Sequence, residues 1–327
     1  MKSDESQKIE CILCRGLDYD KLWECRDADR ISSLTFQLRQ CRKCKLTFTC
    51  PMLSDSEMEP WYRAKYHGWW QSTHNCLLHQ ANKNFSSMRR RWIARFKSSG
   101  TILDVGCGDG SFADYMRGKG WEVFGVENLE KFKPREKIRV IRHDTPVWHD
   151  LLPEVDVISL WHVLEHIDKP LKMLRQAHDV LKPSGYLIIS VPNINSLQSV
   201  LCRDKWFHLD VPRHRWHFTP ETLGLMLRQG GFTIIDLSHV SWEYSPFGWW
   251  QSLLNVCGGS YNFIYNLFKR RELPVYKNVA APIFDILHSI FCGIILIPVV
   301  VVLSFIEILI SRGGSITIAA KRSDIYE

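Results

Sequence analysis

The sequence predicts an α/β fold built around a largely parallel sheet. Short apolar runs alternate with helical stretches between residues 99 and 240, which is typical of strands joined by helical crossovers. Two CxxC pairs precede this region, and a long apolar segment interrupts its last part. The 327-residue chain is long enough for one large domain with appendages or for two domains.

The composition is that of a globular protein with a mild excess of basic residues. Hydrophobic residues make up 45% of the chain, charged residues 24%, and the net charge is +7. This charge favours an anionic partner, either a membrane surface or a nucleic acid. The first residues, MKSDESQKIE, lack the apolar core of a secretory signal. We therefore expect an intracellular, reducing location, where the 11 cysteines are thiols or metal ligands.

The cysteine-rich segment at residues 1–60 is expected to form a zinc-ribbon-like domain. Cys11 and Cys14 form one CxxC pair, Cys41 and Cys44 form a second, and 26 residues separate the two pairs. Each pair can hold two thiolates on one turn, and two turns complete a tetrahedral Zn²⁺ site. Four cysteine ligands leave no open position, so the zinc would be structural. Unligated thiols or a redox pair are the alternatives.

Seven apolar runs of strand type follow an expected linker helix at 61–98. Five of them form the first part of the sheet: Thr101–Val105, 122–126, 138–141, 155–160 and 186–191. A helix is expected at 171–181. Residues 232–240 predict a sixth strand and residues 315–321 a seventh, so an insertion separates the last two strands.

The loop after the first of these strands carries the motif LDVGCGDGSF. Gly106, Gly108 and Gly110 permit a tight turn and let a ligand approach the backbone, and the next helix presents its amide groups. The spacing is Gly-x-Gly-x-Gly, whereas nicotinamide-binding loops have Gly-x-Gly-x-x-Gly. Asp104, two residues before the first glycine, would repel a pyrophosphate but suits a cationic ligand. Glu127 ends the second strand, where a carboxylate can accept both hydroxyls of a ribose.

These motifs resemble the class I S-adenosylmethionine (SAM)-dependent methyltransferases over roughly 99–240. The resemblance implies SAM as cofactor and a Rossmann-like seven-stranded sheet, formed by a domain at 99–245 and completed by residues 311–327. The seventh strand would lie antiparallel beside the sixth. The implied cofactor-binding residues are Asp104, Gly106, Cys107, Gly108, Gly110, Glu127, Asn128, Asp144, Thr145, Leu160 and Trp161. Asp144 would meet the adenine amine. A nucleotide-binding Rossmann fold of another kind is the alternative.

Candidate bases follow the fourth and fifth strands. They are His162, Glu165 and His166 in WHVLEHI, and His208, His214 and His217 in WFHLDVPRHRWHF. Methyl transfer from a sulfonium needs alignment of the reacting atoms and often a base for the nucleophile's proton. Imidazole titrates near neutrality and suits that task.

VLEHIDKP and LKPSGYLIISVPN resemble the ubiquinone-biosynthesis O-methyltransferases and the group described as methyltransferase domain 23. In some of those enzymes an acid followed by Glu-His is associated with a divalent cation. His162 stands here in place of the first acid, so a divalent cation at the active site is left open. The resemblance places His214 and His217 in a loop over the substrate, which makes them the better catalytic candidates. Alternatively, Glu165 and His166 cap the next helix or order the loop.

Residues 246–310 are expected to form a membrane-associating helical hairpin. Residues 290–306 are uncharged for 17 residues, the short limit for a membrane span. Because the seventh strand must rejoin the sheet, a single crossing would leave it on the wrong side of the bilayer. The segment should therefore enter and leave on one face, with Pro298 as a kink. A buried helical subdomain or a dimer interface is the alternative.

Residues 247–268 combine aromatic side chains with a basic cluster, as interfacial helices do. The residues concerned are Trp249, Trp250, Tyr261 and Tyr265, followed by Lys269, Arg270 and Arg271. We therefore expect this segment to lie at a membrane surface.

The ribbon, the motif CPMLS, an aromatic helix and this core together resemble bacterial methyltransferases of cell-surface polysaccharide pathways. The sequence predicts a monotopic methyltransferase at the cytoplasmic face of the membrane. It would methylate a hydroxyl of a lipid-linked or amphipathic acceptor, such as a polyprenyl-linked glycan or a quinone precursor. The alternatives are a soluble cytoplasmic methyltransferase of nucleotide-activated sugars, a zinc-ribbon RNA methyltransferase and a non-enzymatic SAM-binding scaffold.

A nucleic-acid partner is disfavoured by two features of the sequence. The loop WHVLEH lacks the Asn/Asp-Pro-Pro-Tyr signature of amino-group methylation on bases. RNA binding also leaves the apolar segment unexplained. The sequence does not indicate an oligomeric state.

Overall fold

The computed structural model describes residues 9–28, 31–63, 76–128, 138–142, 145, 147–268 and 280–323. The strands are β1 (Tyr19–Arg26), β2 (Thr35–Cys41), β3 (Thr47–Cys50), β4 (Thr101–Val105), β5 (Glu122–Glu127), β6 (Arg139–Arg142), β7 (Val155–Trp161), β8 (Leu181–Pro192), β9 (Trp216–His217), β10 (Phe232–Ser238) and β11 (Ser315–Arg322). The helices are α1 (Glu59–Arg63), α2 (Cys76–Ala94), α3 (Ser111–Arg117), α4 (Pro170–Val180), α5 (Leu197–Cys202), α6 (Pro220–Gln229), α7 (Ser245–Val256), α8 (Phe263–Phe268) and α9 (Ala280–Leu309).

The chain divides into two compact units. Unit 1 comprises Met1–Ala64, Pro192–Leu223 and His239–Ile316. Unit 2 comprises Lys65–Val191, Gly224–Ser238 and Thr317–Glu327. The expected boundaries of a separate ribbon at 1–60 and a hairpin at 246–310 remain predictions.

A seven-stranded sheet forms the centre of unit 2. Its order is β10-β11-β8-β7-β4-β5-β6. β4 to β8 pair in parallel, and β11 pairs antiparallel with β10. Parallel neighbours need crossover connections, which α3 and α4 supply. The Rossmann-like sheet predicted from the sequence is thereby confirmed, including its antiparallel seventh strand.

The predicted strands match the observed ones to within two residues, except at β8. This strand already begins at Leu181, opposite Val155, and an irregularity in the pairing then brings Tyr186 opposite Val157. The sequence Lys182-Pro183-Ser184-Gly185 resembles a loop, so the early start of the ladder was not predicted. The predicted helix at 171–181 is α4, and α2 lies within the predicted linker helix.

The core of unit 2 is apolar on both faces of the sheet. On one face, Ile102, Val157 and Ile188 come from three neighbouring parallel strands and are fully buried with Ile93 of α2 and Met116 of α3. On the other face, Leu103, Ile158 and Leu187 of the same strands are also fully buried. Strands covered on both faces have continuous apolar runs, which is why the sequence pattern identified them.

The amino-terminal segment of unit 1 forms an antiparallel sheet in the order β1-β2-β3-β9. β9 is distant from β3 in the sequence but pairs antiparallel with it, so that β9 is the last strand of this sheet. Phe36 and Leu38 of β2 share one core with Trp61, Trp206 and Trp249. The ribbon segment is therefore packed together with later parts of unit 1.

The apolar segment of unit 1 contains α7, α8 and α9, of which α7 and α9 run antiparallel. The Trp249 indole of α7 contacts Glu307 near the end of α9, whereas the Ser260 amide beyond α7 contacts Asp285 near its start. Pro298 lies inside α9, which continues through it. The two arms of the hairpin are therefore α7 and α9. The predicted kink at Pro298 is not the turn of the hairpin, because α9 continues through this residue.

Two aromatic residues expected at a membrane surface have hydrogen-bond partners inside unit 1 instead. Trp249 is fully buried, and its indole N–H donates to the Glu307 carboxylate. Tyr261 is partly buried, and its hydroxyl donates to the Trp206 carbonyl. Aromatic content alone does not reveal such internal partners.

Candidate functional site

The glycine loop between β4 and α3 has a backbone that other residues rarely adopt. Gly106, Gly108 and Gly110 have φ angles of 71°, 56° and 76°. A Cβ at Gly106 would lie 2.4 Å from the Val163 side chain, whereas a Cβ at Gly108 would meet none of the described residues within 4 Å. Gly106 therefore allows close packing, and Gly108 leaves space where a ligand can approach the backbone.

The carboxylate of Glu127 lies at the end of β5 and is held by two backbone donors. The Gly108 amide donates to its Oε2 at 2.7 Å, and the Asn128 amide donates to its Oε1 at 2.6 Å. A carboxylate has about four acceptor sites, so one fixed in this way can also accept hydrogen bonds from ribose hydroxyls. The geometry fits the predicted role of Glu127.

Asp104 is buried at the end of β4, where the Ser159 hydroxyl of β7 donates to it at 2.8 Å. Burial raises the pKa of this carboxyl to about 7, although the Ser159 hydrogen bond and the positive charge of Arg89 oppose the rise. The negative charge of Glu127 also contributes to the raised pKa of Asp104. A cationic ligand at this position would favour the ionised carboxylate.

Arg89 is a candidate site residue that the sequence did not identify. It belongs to α2, and its guanidinium lies 5.7 Å from the Phe112 ring centre and 5.2 Å from that of Trp161. Its charge also acts on Asp104. Guanidinium groups match carboxylates in geometry, so Arg89 can bind the carboxylate of the methionine part of SAM. The segment MRRRWIARFK contains several arginines close together, but the sequence does not show which of them lies near Asp104.

Most of the other predicted cofactor residues lie around the same strand ends. Cys107 and Leu160 are buried, and Gly110 is the residue from which α3 begins. The carbonyl of Thr145 accepts a hydrogen bond from Gln176. Asp144 lies outside the described residues.

The loop WHVLEH after β7 is ordered by its own side chains. His162 has a positive φ of 56°, and its Nδ1 lies 3.4 Å from the buried Glu165 carboxylate. His166 ends the one-turn 3-10 helix Leu164–His166. α4 begins after Lys169, whose side chain makes no capping hydrogen bond. The contact fits the loop-ordering interpretation, and a catalytic role for these residues stays a prediction.

His208, His214 and His217 belong to unit 1 and are all buried. The Nδ1 of His214 lies 2.9 Å from the His208 carbonyl, and its Nε2 lies 3.8 Å from the Asp210 carboxylate. A carbonyl can only accept, so Nδ1 carries the proton. The lone pair of the neutral ring is therefore on Nε2, the atom that can take up a proton.

His217 has the opposite arrangement. The Thr49 hydroxyl donates to the His214 carbonyl at 2.7 Å, and the His217 Nε2 lies 3.0 Å from the same hydroxyl oxygen. The single hydroxyl hydrogen is used, so Nε2 of His217 must be the donor. Burial lowers the pKa of His217 to about 3, which makes it a weak base at neutral pH. The sequence does not distinguish the two histidines, because Thr49 lies far away in the chain.

The four cysteines of the CxxC pairs converge in unit 1. The Sγ atoms of Cys11 and Cys44 are 3.4 Å apart, as are those of Cys14 and Cys41, and all four lie within 4.8 Å of one another. Sulfurs around a tetrahedral zinc are about 3.8 Å apart, because each Zn–S bond is about 2.3 Å. A Cβ at Gly16 would lie 3.3 Å from the Cys14 sulfur. The geometry fits a structural zinc site.

Comparison with known proteins agrees with this site. Residues 77–237 match the family described as a methyltransferase domain. The ubiquinone biosynthesis O-methyltransferase of Ruegeria pomeroyi is 32% identical over 168 residues, which cover 44% of this chain and 66% of that enzyme. The enzyme of the same name from Thiobacillus denitrificans is 28% identical, over 55% of this chain and 83% of its own length.

A solved SAM-dependent methyltransferase structure from Archaeoglobus fulgidus is 22% identical, covering 74% of this chain and 94% of its own, with a TM-score of 0.45. The family match, the seven-stranded sheet and the glycine loop with its two acids are together typical of one family. Through residues 77–237, the chain therefore belongs to the class I SAM-dependent methyltransferases.

Proposed function

We propose that this enzyme transfers a methyl group from SAM to a hydroxyl of a small amphipathic acceptor, and that it does so at the cytoplasmic face of a membrane. The two bacterial relatives are named for O-methylation in ubiquinone biosynthesis, which supports an oxygen nucleophile on a quinone-like or polyprenyl-linked molecule. The observation that carries the membrane location is the exposed apolar surface of α9.

The apolar surface of α9 is long as well as exposed. Residues 283–309 of α9 form the one helix, among the residues that the structure describes, with the length and apolarity to cross a membrane. Leu287, Phe291 and Ile294 are each more than half exposed. Soluble proteins rarely leave so many neighbouring apolar side chains in water. An enzyme attached to lipid by this surface would meet acceptors that remain dissolved in the bilayer.

The cofactor roles that we propose follow from charge and geometry. SAM, when bound, supplies an electrophilic methyl group on a sulfonium. Glu127 would accept the ribose hydroxyls, Asp104 would favour the cationic part of the cofactor, and Arg89 would bind its carboxylate. The space beside Gly108 supports the close approach of the ligand to the backbone.

We further propose that His214 is the general base for the acceptor hydroxyl. Its Nδ1 donates to the His208 carbonyl, so the proton would be taken up at Nε2, and the Asp210 carboxylate 3.8 Å from Nε2 would stabilise the resulting imidazolium. His217 would instead position the loop through Thr49. The low pKa of His217 supports this division of roles.

The zinc that we propose at the four cysteines would act on catalysis indirectly. β3 pairs with β9, the Thr49 amide donates to the Arg215 carbonyl, and the Thr49 hydroxyl donates to the His214 carbonyl. The ribbon sheet thus supports the backbone that carries the histidines. Loss of zinc would destabilise the ribbon sheet and the backbone around the histidines. It would not remove any residue of unit 2 that binds the cofactor.

The acceptor class is tested by methyl transfer from radiolabelled SAM. We expect label to enter the organic phase of membrane lipid extracts as a base-stable methyl ether, because the proposed acceptor is amphipathic. RNA and nucleotide-activated sugars serve as parallel substrates. Label only in nucleotide sugars would favour the soluble alternative, and label only in RNA would also contradict the proposal.

The base is tested by comparing histidine variants on the accepted substrate. His214→Ala should lower kcat by about 100- to 10,000-fold while SAM affinity stays nearly constant, because the base does not bind the cofactor. Thr49→Val, which removes the hydroxyl, should lower kcat less and change its pH profile, and Thr49→Ser should restore both. His149→Ala, at an exposed histidine, is the matched control. Normal turnover in His214→Ala would refute the assignment.

The metal is tested by elemental analysis of protein purified without chelators. We expect one zinc per chain and its loss in Cys41→Ser, because that variant removes one of the four ligands. Cys41→Ser should lower turnover more than SAM affinity, whereas Cys257→Ser, at an exposed thiol, should change neither. Wild-type protein without zinc, or a zinc-free variant with full turnover, would contradict the proposal.

A further inference from the structure

The amphipathic character of α9 is inverted relative to a helix on the surface of a soluble protein. Its inward face is mostly polar or small: Asp285, Ser289, Gly293, Ser304 and Glu307 are all buried. Its outward face is apolar, with Phe291 at 69% and Leu309 at 82% exposure. Surface helices normally place their polar residues in water and their apolar stripe in the core. The outward face therefore has the composition of a surface in contact with hydrocarbon.

The polar face of α9 packs against the rest of unit 1 along the whole helix. Near the start, the Asp285 carboxylate accepts from the Ser260 amide at 2.9 Å. In the middle, the Trp250 indole donates to the Gly293 carbonyl at 3.0 Å. A Cβ at Gly293 would lie 3.0 Å from the same indole, so only glycine permits this approach without a shift.

The attachment continues at the far end of the helix. The Glu307 carboxylate accepts from Trp249 at 2.7 Å and from Gln198 at 3.2 Å. Asp285 and Glu307 lie about six turns apart, or about 33 Å along the helix axis. Both ends of α9 are thus fixed to the same packed body.

These attachments decide how the helix can meet a bilayer. A hydrocarbon core is about 30 Å thick, so a helix standing across it would carry its attached neighbours into the membrane. Those neighbours include Asn255 of α7, which donates to the Lys205 carbonyl, and the exposed ion pair between the side chains of Lys205 and Asp204. Embedding that segment in lipid would be costly. A helix lying flat needs to bury only its outward face.

Charge and aromatic residues near the helix ends fit a flat position. Lys269, Arg270 and Arg271 precede α9 in the sequence, and Arg312 follows it. Basic side chains in such positions attract anionic headgroups. Trp242 is half exposed and packs edge-on against Phe305, as indoles at a membrane interface do.

We propose that α9 lies in the plane of one leaflet, with its outward face among the lipid acyl chains and its polar face on unit 1. The inference rests on the proposed function for the presence of a membrane and adds the orientation of the enzyme on it. From Ile286 to Ile306 the helix contains no Asp, Glu, Lys or Arg. Interfaces between protein copies usually carry a polar rim, so lipid is the better partner for this face.

Depth measurement by spin labels tests the orientation. Single cysteines for labelling replace Ile283, Ile294 and Phe305, which are all outward and spaced by about three turns. The full chain, with Cys257→Ser, is bound to vesicles containing phosphatidylcholine and phosphatidylglycerol. We expect all three labels at the same shallow depth. Depths that run progressively across the bilayer would overturn the proposal.

Vesicle flotation tests whether the outward face binds lipid. The double variant Phe291→Ser and Ile294→Ser should lose flotation and keep its SAM affinity, whereas Leu201→Ser, at an exposed leucine outside α9, should still float. A wild-type chain that stays soluble as a monomer, or as a dimer covering this face, would overturn the inference. Methyl transfer to an amphipathic acceptor with no lipid binding would refute the inference and the membrane location, and would leave the proposed reaction standing. Lipid binding with no such transfer would refute only the proposed reaction.

Discussion

The carboxylate of Glu127 connects the glycine loop to the end of β5, and the arrangement of the cofactor site depends on that connection. The hydrogen bond from the Gly108 amide holds the loop in a backbone conformation that its glycines permit. The same carboxylate is thereby oriented before any ligand binds, so binding need not include the cost of fixing it. Asp104, on the neighbouring strand, adds a buried acid whose charge a cationic ligand would stabilise.

A second constraint is topological and concerns the last strand. β11 lies between β10 and β8, so the chain that leaves β10 must return to the same sheet after α9. A helix inside such an excursion cannot end on the far side of a bilayer. The polar attachments of Asp285 and Glu307 fit the same requirement, because they hold both ends of α9 on one body. An apolar helix and a soluble methyltransferase sheet can thus coexist in one chain.

The sequence predicted the sheet well, because strands buried on both faces have continuous apolar runs and the glycine loop has a distinctive spacing. It predicted less where a role depends on a distant partner. Thr49 determines which nitrogen of His217 carries the proton, and no local pattern around the histidine indicates it. In the sequence, Trp249 resembles an aromatic residue at a membrane interface, whereas in the structure its indole donates to the buried Glu307 carboxylate. Arg89 is one of several neighbouring arginines, and the local sequence does not show which of them lies near Asp104.

Calorimetric titration of SAM into the wild-type chain and Glu127→Ala tests the central claim that Glu127 and the glycine loop form a preorganised cofactor site. Loss of charge-assisted hydrogen bonds at about 1.5–3 kcal/mol should weaken SAM binding roughly tenfold or more. Glu122→Ala, at the exposed start of the same strand, should bind like the wild type. Equal affinity for SAM in Glu127→Ala and the wild type would contradict the account.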